Sequence, residues 1–105
     1  MQIYYTPEAL SDLQNAKESI IETFFDEKLA VDTLKSITKS VRNLEVFPYM
    51  GRELILSGGV STGYRYLFSK HNYVFYRVEQ DRVRIVRVLH ERQDYLRVLF
   101  GITEE

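Results

Sequence analysis

The stretch YRYLFSKHNYVFYRVEQDRVRIVRVLH, residues 64–90, decides the fold. Tyr64–Phe68, Tyr73–Val78 and Val83–His90 are rich in β-branched and aromatic residues, which suit a pleated, half-buried surface. Between them stand only Lys70-His71-Asn72 and Gln80-Asp81, connections of hairpin length, so the three segments are expected to be antiparallel neighbours. From Val83 to Leu89 apolar residues occupy both parities. Such a strand is expected inside the sheet and covered on both sides. Alternation then assigns neither Arg84 nor Arg87 to a face.

Upstream of this stretch the hydrophobic period changes. Arg52–Leu56 is extended and bounded by Gly51 and Gly58-Gly59, which reads as a further strand. Before Pro48 the period is helical. Ala30, Leu34, Ile37, Val41, Leu44 and Phe47 recur at spacings of four and three behind a possible cap at Asp26. Pro48 should end that helix, because the residue before a proline avoids helical angles. An earlier stripe of Leu10, Leu13, Ala16, Ile20 and Phe24 begins at Thr6-Pro7. There Thr6 can cap an orphan N–H, Pro7 has none to lose, and Glu8 and Asp12 complement the helix dipole. Gln2–Tyr5 reads as a short strand with Ile3 and Tyr5 on one face, and Tyr95–Phe100 as a last helical turn stopped by Gly101. The expected fold class is α+β: an N-terminal strand, a two-helix antiparallel hairpin, then an antiparallel meander of three or four strands with both helices on one face.

A chain of 105 residues is expected to be one domain, 1–105, large enough to bury roughly 65% of its unfolded surface. With no cysteine, disulfides and thiolate metal sites are excluded, and His71 and His90, the only soft ligands left, argue against a dedicated zinc site. No cofactor or metal is expected. The opening MQIYYTPEAL lacks a basic start and an apolar run, and no segment approaches the roughly 20 apolar residues that span a bilayer, so a soluble cytoplasmic protein without membrane contact is expected.

The net charge of −1 conceals an asymmetry. Residues 1–50 carry five Lys/Arg against eight Asp/Glu, and residues 51–100 carry nine against five, eight of the nine being arginine. Two readings fit: solvated strand faces, or an anionic partner, either nucleic acid or an acidic protein segment. No phosphate loop, nucleophile elbow or metal-ligand spacing is present. The side chains able to carry chemistry are Arg65, Arg77, Arg87, His90, Arg92 and Tyr95, with Lys70 and His71 beside them. If Tyr66 and Phe68 face the helices, Arg65 points to the opposite face; if Tyr76 and Val78 are core, Arg77 joins it there. Such a face, with aromatics such as Tyr73, could hold RNA by phosphate contacts and base stacking. The same tyrosines could equally be packing residues, and His90 at a strand end a structural hydrogen-bonding group.

In order along the chain, YYTPEALSDL, FPYMGRE, YRYL, VFYRV and RVLH followed by an arginine and D-Y resemble the RelE/ParE toxins of bacterial type II toxin–antitoxin systems. The resemblance spans nearly the whole chain. It implies the α+β fold above and a growth-inhibiting toxin neutralised by a small cognate antitoxin. That antitoxin's C-terminal segment would wrap the toxin while its N-terminal part binds operator DNA, so operator contact is expected only through the antitoxin.

The family has two kinds of target. RelE-like members cut mRNA in the ribosomal A site, using basic sheet residues and a C-terminal basic or aromatic residue. ParE-like members poison DNA gyrase and need no nuclease chemistry. Of the two alternating basic residues of the RelE pattern, the first falls on Arg65 and the second on Leu67. The arginine of the next strand falls near Tyr73 and the C-terminal basic residue near Gln93, with Arg92 or Tyr95 as substitutes if the register moves by one. RVLH-x-R-x-D, beginning at Arg87, is closer to ParE-like members. The resemblance therefore favours gyrase over the alternative of a ribosome-dependent endoribonuclease. A degenerate member that only binds antitoxin or DNA is the third reading.

Overall fold

The computed structural model describes residues 1–102. Along the chain run β1 (Gln2–Tyr5), α1 (Pro7–Phe24), α2 (Glu27–Arg42), β2 (Arg52–Leu56), β3 (Val60–Ser69), β4 (Asn72–Val78), β5 (Arg82–His90) and α3 (Tyr95–Phe100), with a 3₁₀ turn at Asn43–Glu45 after α2. The five strands form one sheet in the order β1-β5-β4-β3-β2. The expected meander is present with four strands, and β1 joins it in parallel on the far side of β5.

Both helix starts follow from their caps. The Thr6 hydroxyl accepts from the Ala9 N–H at 3.0 Å and donates to the Val86 carbonyl at 2.8 Å, while the Thr6 N–H donates to Ile85 at 3.0 Å. One buried threonine thus starts α1 and ties it to β5. This close approach explains a correction to the α1 stripe. Ala9, fully buried, faces the sheet, whereas Leu10 and Phe24 are exposed. With Thr6 bonded to β5, Ala9 takes the sheet side of the first turn and Leu10, one position on, points outward.

Asp26 caps α2 by accepting from the Leu29 N–H at 2.9 Å. The α2 stripe Ala30, Ile37, Val41 and Leu44 is buried as expected, with Leu34 packed against it. The helix stops at Arg42 rather than at Pro48. The tighter 3₁₀ turn keeps Leu44 in the core but rotates Phe47 into solvent.

The sheet separates two apolar layers. On the helix side Val74, Tyr76, Val83, Ile85 and Val88 meet α1 and α2. On the other side Leu54, Phe75 and Leu89 meet Tyr64, Tyr66, Tyr73 and the short α3. Tyr66 therefore does not face the helices, and neither does Phe68, whose ring packs on Tyr73 at 5.0 Å. The sides of Arg65 and its neighbours reverse accordingly: Arg65, opposite Tyr76 in the register, lies on the helix side.

The two-parity pattern of β5 has a specific cause. Arg87 pairs with Phe75 but Ile85 pairs with Tyr76, so Val86 is an extra residue, a β-bulge. The bulge shifts the alternation mid-strand. Val83, Ile85 and Val88 all reach the helix-side core, and Leu89 reaches the other one. β5 is central, as expected, and covered on both sides only at its C-terminal end; Arg84 lies exposed on the face away from the helices, and Arg87 turns toward α1.

Candidate functional site

The residues singled out from sequence fall into three separate places. Arg65 and Arg87 lie on the helix side. The Arg65 guanidinium donates to the carbonyls of Tyr49 at 3.2 Å and Gly51 at 2.9 Å, pairs with Glu53 at 3.2 Å and sits over the Tyr49 ring. It clamps the loop that leads into β2. Arg87 donates to both oxygens of Asp12, at 2.7 and 2.9 Å, and the same carboxylate accepts from the Val88 N–H at 2.9 Å. The bond to Asp12 holds the Arg87 guanidinium above its already high ordinary pKa, so it stays charged at any working pH. Both arginines are fastened to the frame.

Arg77 occupies the opposite face, as its neighbours Tyr76 and Val78 require. Its guanidinium lies 4.9 Å from the Tyr64 ring centroid. Gly63, with φ of 78°, has no Cβ to stand in the way; one built there would lie 3.0 Å from the Arg77 Nη2.

The third place is the end of the sheet where β3 turns into β4 and β5 runs out toward α3. Lys70 and His71 make the turn, both with positive φ, a conformation usually left to Gly or Asn. Glu91 reaches His71 Nδ1 at 2.9 Å. The rings of His71 and His90 stack with centroids 6.5 Å apart. The Arg92 N–H donates to His90 Nδ1 at 3.1 Å, and Gln93 accepts from the His90 N–H at 2.8 Å. Tyr95 packs its ring on Phe75 at 5.3 Å and Tyr73 at 5.7 Å, joining α3 to the sheet. Leu67, which stands where the RelE pattern has its second basic residue, packs against the helix-side core.

Among the described residues, no group of three or more His, Asp or Glu could hold a metal ion. No helix is long and apolar enough to cross a membrane. The open part of the sheet face carries something that alternation could not reveal: a row across β1, β5 and β4 in which Tyr4, Arg84 and Arg77 stand side by side. Arg82, next to it, lies over the Tyr4 ring at 4.4 Å and bonds Glu79 at 2.8 Å. That bond holds the Glu79 carboxyl below the usual glutamate range. The register that pairs Val78 with Val83 across the turn is what places Arg77 opposite Arg84.

The described fold has clear relatives. A chain of the chromosomal ParDE TA system from P. aeruginosa superposes with a TM-score of 0.72 at 18% identity, covering 86% of this chain and 95% of that one. The YoeB/ParE toxin from Agrobacterium tumefaciens gives 0.56 at 19% identity, covering 86% and 98%. The E. coli DinJ-YafQ toxin–antitoxin complex supplies a chain at 0.52 and 17% identity, covering 95% and 97%. No curated protein matches by sequence. These likenesses establish the fold. The model of the ParE toxin of type II toxin–antitoxin systems, parDE, matches residues 3–95, and with nearly the whole strand–helix–sheet unit inside that span, the chain belongs to the ParE toxin family of the RelE/ParE superfamily.

Proposed function

We propose that this chain is the growth-inhibiting toxin of its module, held in check by a cognate antitoxin, and that it inhibits DNA gyrase without cutting RNA. The observation that carries this reading is the engagement of Arg65 and Arg87 on the helix side, one clamping the Tyr49–Gly51 loop and the other bound to Asp12. Cleaving a phosphodiester needs a base for the 2′-hydroxyl, an acid for the leaving oxygen and cations around one phosphorus, all within hydrogen-bond reach of a single substrate. Here two of the six candidates serve the frame, and Arg77 lies toward the opposite end of the β4–β5 pair from His90. Losing one preorganised donor costs about 10²–10³ in rate in oxyanion holes, and more than one is engaged elsewhere here.

The ribosome-dependent nuclease remains the second reading, because His71, His90, Arg92 and Tyr95 belong to one end of the sheet. Induction in cells separates the possibilities. Under the gyrase reading, plasmid supercoiling relaxes before protein synthesis falls. Translation arrest preceding any change in topology would overturn it, and growth unaffected by induction would leave only a binding module.

A further inference from the structure

Arg77 of β4 and Arg84 of β5 are direct cross-strand partners on the sheet face away from α1 and α2. Like charges directly opposite one another destabilise a sheet. Three arginines meet on this corner, and the acids near them are few. Glu79 gives one oxygen to Arg82 at 2.8 Å and approaches Arg84 with the other only at 3.7 Å, while Asp81 acts on Arg82. Among the described residues no carboxylate pairs with Arg77.

Within the pair Arg77 lies over the Tyr64 ring, and beside it Arg82 lies over the Tyr4 ring. Gly63 clears the space that the Arg77 guanidinium occupies. The Arg77 guanidinium is thus arranged before any ligand arrives, which reduces the ordering cost of binding.

We propose that Arg77 and Arg84 form a receptor for carboxylates on an acidic segment of a protein partner. The chemistry is that of paired guanidinium–carboxylate hydrogen bonds, which would also relieve the repulsion between the two arginines. Nucleic acid fits less well. Glu79 and Asp81 border the row, and the Tyr4 and Tyr64 rings each already carry an arginine on one face. The inference rests on the proposed neutralisation by a protein only for what bears the carboxylates in the cell. Binding itself is independent of gyrase.

The test uses the full chain and follows arginine Nε–Hε signals by NMR while hexaglutamate, or separately a twelve-residue oligothymidylate, is added. Hexaglutamate should shift the signals of Arg77 and Arg84 saturably and leave those of Arg65 and Arg87 in place. R84Q, at an exposed position, should weaken binding about tenfold, the loss of one charge-assisted contact, without lowering the melting temperature. R77Q serves as the second variant and should weaken binding similarly. Absence of shifts at the pair, tighter binding of oligothymidylate there, or unchanged affinity in both variants would overturn the proposal.

Discussion

Asp12 in the second turn of α1 and Arg87 beyond the bulge of β5, 75 positions apart, form a two-point ion pair at 2.7 and 2.9 Å. The same carboxylate receives the Val88 N–H. This one group therefore completes the bulge and fixes α1 on the sheet. Asp12→Ala would leave a half-buried guanidinium and a strand N–H without their acceptor. The expected loss is about 2–3 kcal/mol of unfolding free energy, below the usual cost for a fully buried pair because Arg87 keeps some solvent. Urea denaturation of Asp12→Ala, Arg87→Met and the double variant checks this, and the double variant should lose less than the sum of the singles.

Gly51 marks a close backbone approach. Its N–H donates to the buried Tyr76 hydroxyl at 2.9 Å, and a Cβ there would collide with the Tyr76 ring and stand 2.9 Å from the Tyr66 carbonyl. Gly51→Ala should cost more than about 3 kcal/mol, as overpacking against rigid neighbours does at its worst. Tyr76→Phe, which removes the acceptor without adding bulk, should cost about 1–3 kcal/mol. Equal melting temperatures for Gly51→Ala and wild type would refute this account of the loop.

Phe25 ends α1 in the left-handed conformation, with φ of 52°, and is 91% exposed. A glycine at this position carries no Cβ strain, and little burial is lost with the ring. Phe25→Gly should raise stability by about 1 kcal/mol, whereas Phe25→Ala, which keeps the strain, should not. Thermal denaturation of both variants decides it.

The Arg82 hydrogen bond lowers the folded-state pKa of Glu79. A depressed carboxyl contributes stability above its unfolded pKa and loses it as the pH falls through the lower folded value. The contact is largely open to solvent, so its effect on stability should be small. Carbon-detected NMR titration should find the Glu79 midpoint below the ordinary glutamate value, and Arg82→Gln should return it upward.

Much of the fold was legible because its signals are local. Thr6-Pro7 and Asp26 start helices by bonding their own first turns, and the hairpin breaks at Lys70-His71 and Gln80-Asp81 leave little choice of strand direction. What was not legible depends on contacts distant in sequence. The bulge at Val86 is held from both sides, its carbonyl by Thr6 and the residues after it by Asp12, and nothing around residue 12 announces that role. Leu10 and Ala9 compete for the sheet side of α1, and the cap geometry at Thr6, not hydrophobicity, gives it to Ala9. For the site, residue types were found but their grouping was not. Arg65 and Arg87 looked like ligand-binding cations, while the Arg77–Arg84 pair required the β4–β5 register.

The most direct test of the central claim is a supercoiling reaction with purified gyrase and purified toxin, run beside primer extension on ribosome-bound mRNA. The account predicts loss of supercoiling at toxin concentrations that leave the mRNA intact. Discrete cleavage in the ribosomal A site with supercoiling unaffected would contradict it.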